Sequence, residues 1–149
     1  MEEQQFRDTY HAVNQRRCVF EKAVNSRRCN CNKCQRFNLA DREGVACKTA
    51  TGNALCAELL NTMRTKARFA LHLTHADTPL PHTKEIKVQT GGLLGLQVLL
   101  HPEFAESTQV ENIIGLLDDA IQRYGRIGDL PFDLIVQSIV RFQGRGSHR

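Results

Sequence analysis

Six cysteines fall between positions 18 and 56 of this 149-residue chain, and theirs are the side chains whose type and spacing could do chemistry. They run Cys18-x10-Cys29-x-Cys31-x2-Cys34-x12-Cys47-x8-Cys56. At the centre, Arg27-Arg28-Cys29-Asn30-Cys31-Asn32-Lys33-Cys34 places three sulfurs within six residues. The intervening asparagines suit a tight turn, which can aim several thiolates at one point. Thiolate is the soft donor preferred by tetrahedral zinc and by iron–sulfur clusters, and each takes about four such ligands.

Spacing tilts the choice between those two. Structural zinc usually arrives on two short-spaced cysteine pairs, whereas only Cys31-x2-Cys34 has that form here. A cluster spreads its iron corners over a larger span and accepts irregular spacing, such as three local ligands and a distant fourth. The expected ligands are therefore Cys29, Cys31, Cys34 and Cys47, with Cys18 and Cys56 as replacements. Those last two fall in helical patterns, where a thiol often serves as a small hydrophobe. The Cys-x-Cys start with a later cysteine is similar to the CDGSH-type iron–sulfur proteins. Lys48-Thr49-Ala50-Thr51 follows Cys47 without that family's histidine ligand, so no family is assigned. The function expected is that of an iron–sulfur protein in electron transfer, redox sensing or cluster handling. The alternative is a zinc-stabilised helical binding module contacting a protein or nucleic acid through a basic N-terminal face.

Charge is distributed to match. Residues 1–70 carry 13 Lys/Arg against 7 Asp/Glu, while residues 71–149 carry 7 against 9. Cations beside thiols favour the thiolate form. The belt of Arg16, Arg17, Arg27, Arg28, Lys33, Arg36, Arg42 and Lys48 would also suit an acidic protein partner. Nucleic acid is a weaker expectation, because only Phe20 and Phe37 accompany the belt as stacking surfaces. His72, His75 and His82 could ligate a metal but read more simply as solvated surface. There is no Gly-x-Ser-x-Gly elbow or His-Glu-x-x-His pair, and no catalytic residue is expected. The N-terminus lacks a charged stretch followed by an apolar one, so a reducing, cytoplasmic setting is expected, where clustered cysteines tend to be ligands. No apolar run approaches the ~20 residues that cross a bilayer, so no membrane association is expected.

The elements that must hold these thiols read as mostly α-helical: a single domain of five to six helices with at most one short strand and a cysteine-rich loop in its N-terminal half. Phe6, Tyr10 and Val13 recur at helical spacing and predict a helix over about 3–15. A short helix is expected over 19–24, and a long one over 53–73 with Cys56, Leu59, Leu60, Met63, Ala67 and Ala70 on one face. Thr74–His82, with Pro79 and Pro81, reads as a loop between a basic half (1–73) and a second helical half (84–143). Alternation of Ile86 and Val88 with Glu85, Lys87 and Gln89 suggests the one strand. Gly91-Gly92-Leu93-Leu94-Gly95 lacks the Lys-Ser/Thr ending of a phosphate loop and reads as close packing into a buried helix through Leu100. Thr108 and Glu111 have capping-box spacing for a helix that Gly125 stops. Asp129 is the expected cap of a last helix carrying Phe132, Ile135, Val136, Ile139 and Val140. Residues 144–149 read as a loose tail.

Overall fold

The computed structural model describes residues 2–72 and 80–143; the expected tail, His75 and most of the proline loop lie outside these. The fold is mostly helical. Its elements are α1 (Glu3–Val13), α2 (Glu21–Asn25), strands β1 (Cys34–Leu39) and β2 (Arg42–Cys47), α3 (Ala50–Ala70), α4 (His82–Ile86), α5 (Gly92–Leu100), α6 (Ile113–Tyr124) and α7 (Phe132–Arg141). One turn of π-helix, Lys87–Gly91, joins α4 to α5, so residues 82–100 form one helical run. Six helical runs thus stand among the described residues. None of their helices is long and apolar enough to cross a membrane.

Two expectations about strands are corrected. The cysteine-rich stretch is not simply a loop. It contains an antiparallel hairpin whose register runs from Cys34↔Cys47 at the open end to Leu39↔Arg42 at the turn. The turn residues Ala40 and Asp41 both have positive φ, 50° and 69°. A two-residue hairpin turn of this hand normally advertises itself with Asn-Gly or Asp-Gly, and Ala-Asp does not. The segment Glu85–Gln89, expected as a strand, is helical. Glu85 and Gln89 lie one turn apart, and Gln89 Nε2 donates to Glu85 Oε2 at 2.6 Å. Five alternating residues were overridden by a helical partnership that also includes Arg64, whose Nε and Nη2 reach the Glu85 carboxylate at 3.0 and 2.7 Å.

Elsewhere the helices follow their apolar faces. Leu59, Leu60, Met63 and Ala67 of α3 are buried, as expected, but the helix starts three residues earlier than predicted because the Thr49 hydroxyl accepts from Gly52 N–H and caps it. Gly125, with φ 92°, ends α6. Two caps differ from expectation. α6 begins at Ile113 after Asn112, because Val110 is drawn into a β-bridge with Cys29. α7 begins after Pro131, and Asp129 instead closes a 3-10 turn and pairs with Arg126. On α1, Tyr10 is buried while Val13 is 57% exposed, so the expected stripe stops short. Tyr10 packs 5.7 Å from the Phe37 ring and donates to the buried carboxylate of Glu21, which also accepts from Val45 N–H and from Arg17. This buried carboxylate ties α1 and α2 to β2. Buried side chains from Phe20 through Ile139 form one apolar cluster.

Candidate metal centre

Backbone pairing brings the thiols together before any side chain is considered. Cys34 and Cys47 are cross-strand partners at the open end of the hairpin. The chain before α2 lies along the other edge of β2, with Arg17 opposite Ala46, Cys18 N–H donating to Val45 O and Cys47 N–H to Arg16 O, each at 2.8 Å. Residues alternate faces along a strand, so Cys18, Cys47 and Cys34 share one face of this arrangement.

The turn preceding β1 supplies Cys31. Its carbonyl accepts from Cys34 N–H at 3.3 Å, and its sulfur receives Lys33 N–H at 3.4 Å. Cys18 likewise receives a backbone N–H from the residue two positions on, Phe20, which partly offsets the effect of burial on that thiol. The second half of the chain anchors this turn. Asn30 N–H donates to Val110 O, Ile113 N–H to Asn30 O, and Asn32 N–H to the Asn112 side-chain oxygen, all within 2.8–2.9 Å. Cys56 arrives from the second turn of α3.

Five of the six cysteines therefore border one cavity: Cys18, Cys31, Cys34, Cys47 and Cys56, with Lys33 at its edge. Val19 and Phe20 beside Cys18, Thr49, Gly52 and Asn53 at the start of α3, and Ile113 and Ile114 at the start of α6 complete it. Both helices thus direct their N-terminal ends towards the thiols, and neither has an acidic residue in its first turn. The positive ends of helices of 21 and 12 residues favour anionic sulfur. Cys29, the first of the expected ligands, does not border the cavity. It is 3% exposed within the apolar core, held by its bridge to Val110.

Burial, rather than the basic belt, governs acidity at three of the thiols. It pushes Cys18 and Cys29 up to about 12 and Cys56 higher still, with neighbouring sulfurs adding to the rise at Cys18 and Cys56; Arg28 opposes it only partly at Cys29. These three are protonated at neutral pH in the metal-free chain, and a cation would have to displace their protons. The belt is partly neutralised: Arg17 pairs with Glu21, Arg27 with Glu43 and Arg42 with Glu3. Of the histidines, His72 is exposed and His82 meets Lys22. Among the described residues, no three His, Cys, Asp or Glu side chains stand in the positions a single metal ion requires.

The contribution of the helix ends was not foreseen from the sequence. Thr49 and Asn112 are cap-type residues immediately before them, and that was the available clue. No protein-family profile, curated protein or solved structure matches this chain.

Proposed function

We propose that this protein holds an iron–sulfur cluster on Cys18, Cys31, Cys34 and Cys47 and acts in electron transfer, redox sensing or cluster handling in a reducing, cytoplasmic setting. The observation that carries this is the convergence of five cysteines, from four separate stretches of chain, on one cavity. Relative to the ligands expected from spacing, Cys18 takes the place of Cys29. Cys18 borders the cavity together with Cys31, Cys34 and Cys47 and receives a backbone N–H from Phe20. Cys56 borders the same cavity, and would be the spare thiol.

The donor set fits such a group: soft sulfur throughout, converging helix ends to offset negative charge, and apolar isoleucines to limit water. A bound cluster would supply one-electron exchange. The chain's own contributions are the Lys33 and Phe20 amides that donate to sulfur, the Asn112 oxygen that fixes the Cys31 turn, the Lys33 side chain at the cavity edge, and the basic residues elsewhere in the N-terminal half. Those residues would meet an acidic protein partner, with nucleic acid the lesser expectation.

One observation favours a zinc-stabilised binding module instead. The cavity is small, about 20 Å3, which leaves less room for several irons with their sulfides than for one atom, on which the thiols would still have to close. The two readings separate on protein purified anaerobically. A brown protein with visible charge-transfer bands, iron and acid-labile sulfide is expected; colourless protein with stoichiometric zinc would overturn the cluster.

A further inference from the structure

Cys34 and Cys47 differ from the other thiols of the cavity in that the backbone sets them directly opposite each other. They are the outermost cross-strand pair at the open end of the hairpin. Neither gives its amide to the other. Cys34 N–H goes to Cys31 O and Cys47 N–H to Arg16 O, while the next pair outward is joined by Lys48 N–H to Lys33 O at 2.8 Å. Cys34 and Cys47 therefore occupy a non-hydrogen-bonded position of the ladder. At such positions the Cα atoms lie about 4.5 Å apart and the two side chains rise close together on one face. A disulfide spans Cα separations of roughly 4.4–6.8 Å, so this pair needs no strand movement to be bridged.

Both are free, half-buried thiols on the cavity wall. Cys34 Sγ donates to Asn30 Oδ1 at 3.3 Å and Cys47 Sγ to Thr49 O at 3.2 Å. Turning the side chains about Cα–Cβ, between staggered wells, exchanges these weak bonds for sulfur against sulfur. The other thiols have no such fixed partner. Across the far edge of β2, Arg17 stands opposite Ala46, which puts Arg16 rather than Cys18 opposite Cys47. The Cys31 sulfur is held by Lys33 N–H, and Cys29 is 3% exposed in the core.

We propose that Cys34 and Cys47 form a redox-active dithiol, which closes to a disulfide when the metal-free chain meets a low-molecular-weight disulfide such as oxidised glutathione. The thiolate of one cysteine attacks the small disulfide, forming a mixed disulfide and releasing one small thiol. The other cysteine attacks the protein-bound sulfur of that mixed disulfide, which makes the Cys34–Cys47 bond and releases the second small thiol. One electron pair passes from the two cysteines to the small disulfide, and their two protons end on the two released thiols. Because the bond joins positions already paired, oxidation keeps the hairpin. It also withdraws two of the four donors of the ligand set proposed above, so the oxidised chain is closed to metal until it is reduced. That consequence rests on the metal reading; the bond itself does not.

The test incubates reduced, metal-free full chain with oxidised glutathione in native buffer and in guanidinium, then alkylates the remaining thiols and weighs the tryptic peptides. Cleavage after Lys33, Arg36, Arg42 and Lys48 puts Cys34 on peptide 34–36 and Cys47 on peptide 43–48, both apart from Cys31. In native buffer two of the six thiols are lost, and the link between these two peptides exceeds every other by at least about tenfold. Unfolding in guanidinium removes that preference. Cys34→Ser and Cys47→Ser each abolish the link, and Cys56→Ser leaves it. Survival of all six thiols, a dominant link from Cys34 to Cys31, or the same distribution of links in native and unfolded chain would overturn the proposal. Zinc ions added afterwards bind the linked chain at least about tenfold more weakly than the reduced one, with recovery on adding dithiothreitol. Undiminished zinc binding by the linked chain would overturn the control of the site by this bond. The link is read without metal, so its failure and that of the metal reading are told apart.

Discussion

Where α5 and the preceding π-helical turn meet α7, the contact is close to backbone against backbone. A Cβ added to Gly91 would lie 3.0 Å from the Ile139 Cα and 2.8 Å from the Phe142 Cβ, and one on Gly95 would lie 2.5 Å from the Ser138 Cβ. Around the cysteine cavity the contacts are thiols, turn amides and helix ends. The first region is stabilised by apolar burial and tight packing and needs nothing added. The second gathers groups that have more to gain from a cation than from one another. On the proposed function, the same chain contains a self-sufficient seam and a site whose order would depend on the metal it holds.

If the proposed metal is bound, removing it should separate the two regions most sharply. Binding energy at a thiolate site is also folding energy, on the order of 10 kcal/mol for structural zinc. Hydrogen exchange in the metal-free protein should accelerate in the Cys31 turn and the hairpin while α5 and α7 keep their protection; uniform loss would mean that the regions are not distinct. Leu96, fully buried in α5, offers the converse experiment. Leu96→Ala should cost about 2–5 kcal/mol in denaturant unfolding and leave the metal content of folded protein unchanged.

Arg64→Ala tests a polar tie in the helical region. It leaves the Glu85 carboxylate buried without its cation, and since Arg64 is itself about one-third exposed the cost should be near the lower end for such losses, about 2–3 kcal/mol by thermal or denaturant unfolding.

Alkali probes the tie between α1 and β2. Burial and the neighbouring Glu21 raise the Tyr10 phenol from its ordinary 10 to about 12. The folded state therefore holds this proton more tightly than the unfolded state. Its stabilisation is complete below pH 10 and is lost as pH rises towards 12. Cys18 and Cys29 act in the same direction in metal-free protein. Tyr10→Phe should flatten the alkaline part of the stability profile, and an unchanged profile would remove Tyr10 as a cause. The smallest effect belongs to the hairpin turn. Ala40→Gly relieves a positive φ and should stabilise by up to about 1 kcal/mol, read as a rise in Tm.

The contrast between the regions also explains what the sequence made legible. Periodic burial announces the face of α3 from Leu59 to Ala67, and Gly125 announces the end of α6. The tight glycines Gly91, Gly92 and Gly95 were readable as packing. The cysteine site depends instead on pairings between distant positions: Arg17 with Ala46, Cys34 with Cys47, and Cys29 with Val110. Spacing placed Cys29 with Cys31 because they are close in sequence, but the bridge to Val110 turns Cys29 into the core. Cys18 and Cys56, which their helical patterns leave as replacement ligands only, pack against the core and also border the cavity. The Ala40-Asp41 turn concealed the hairpin for want of a glycine.

The most direct test exchanges one cysteine inside the cavity and one outside it. Metal and acid-labile sulfide are measured per chain in Cys18→Ala and Cys29→Ala, both purified anaerobically, with circular dichroism to confirm folding. The arrangement predicts a full complement in Cys29→Ala and a marked loss in Cys18→Ala. A full complement in Cys18→Ala together with loss in folded Cys29→Ala would contradict it.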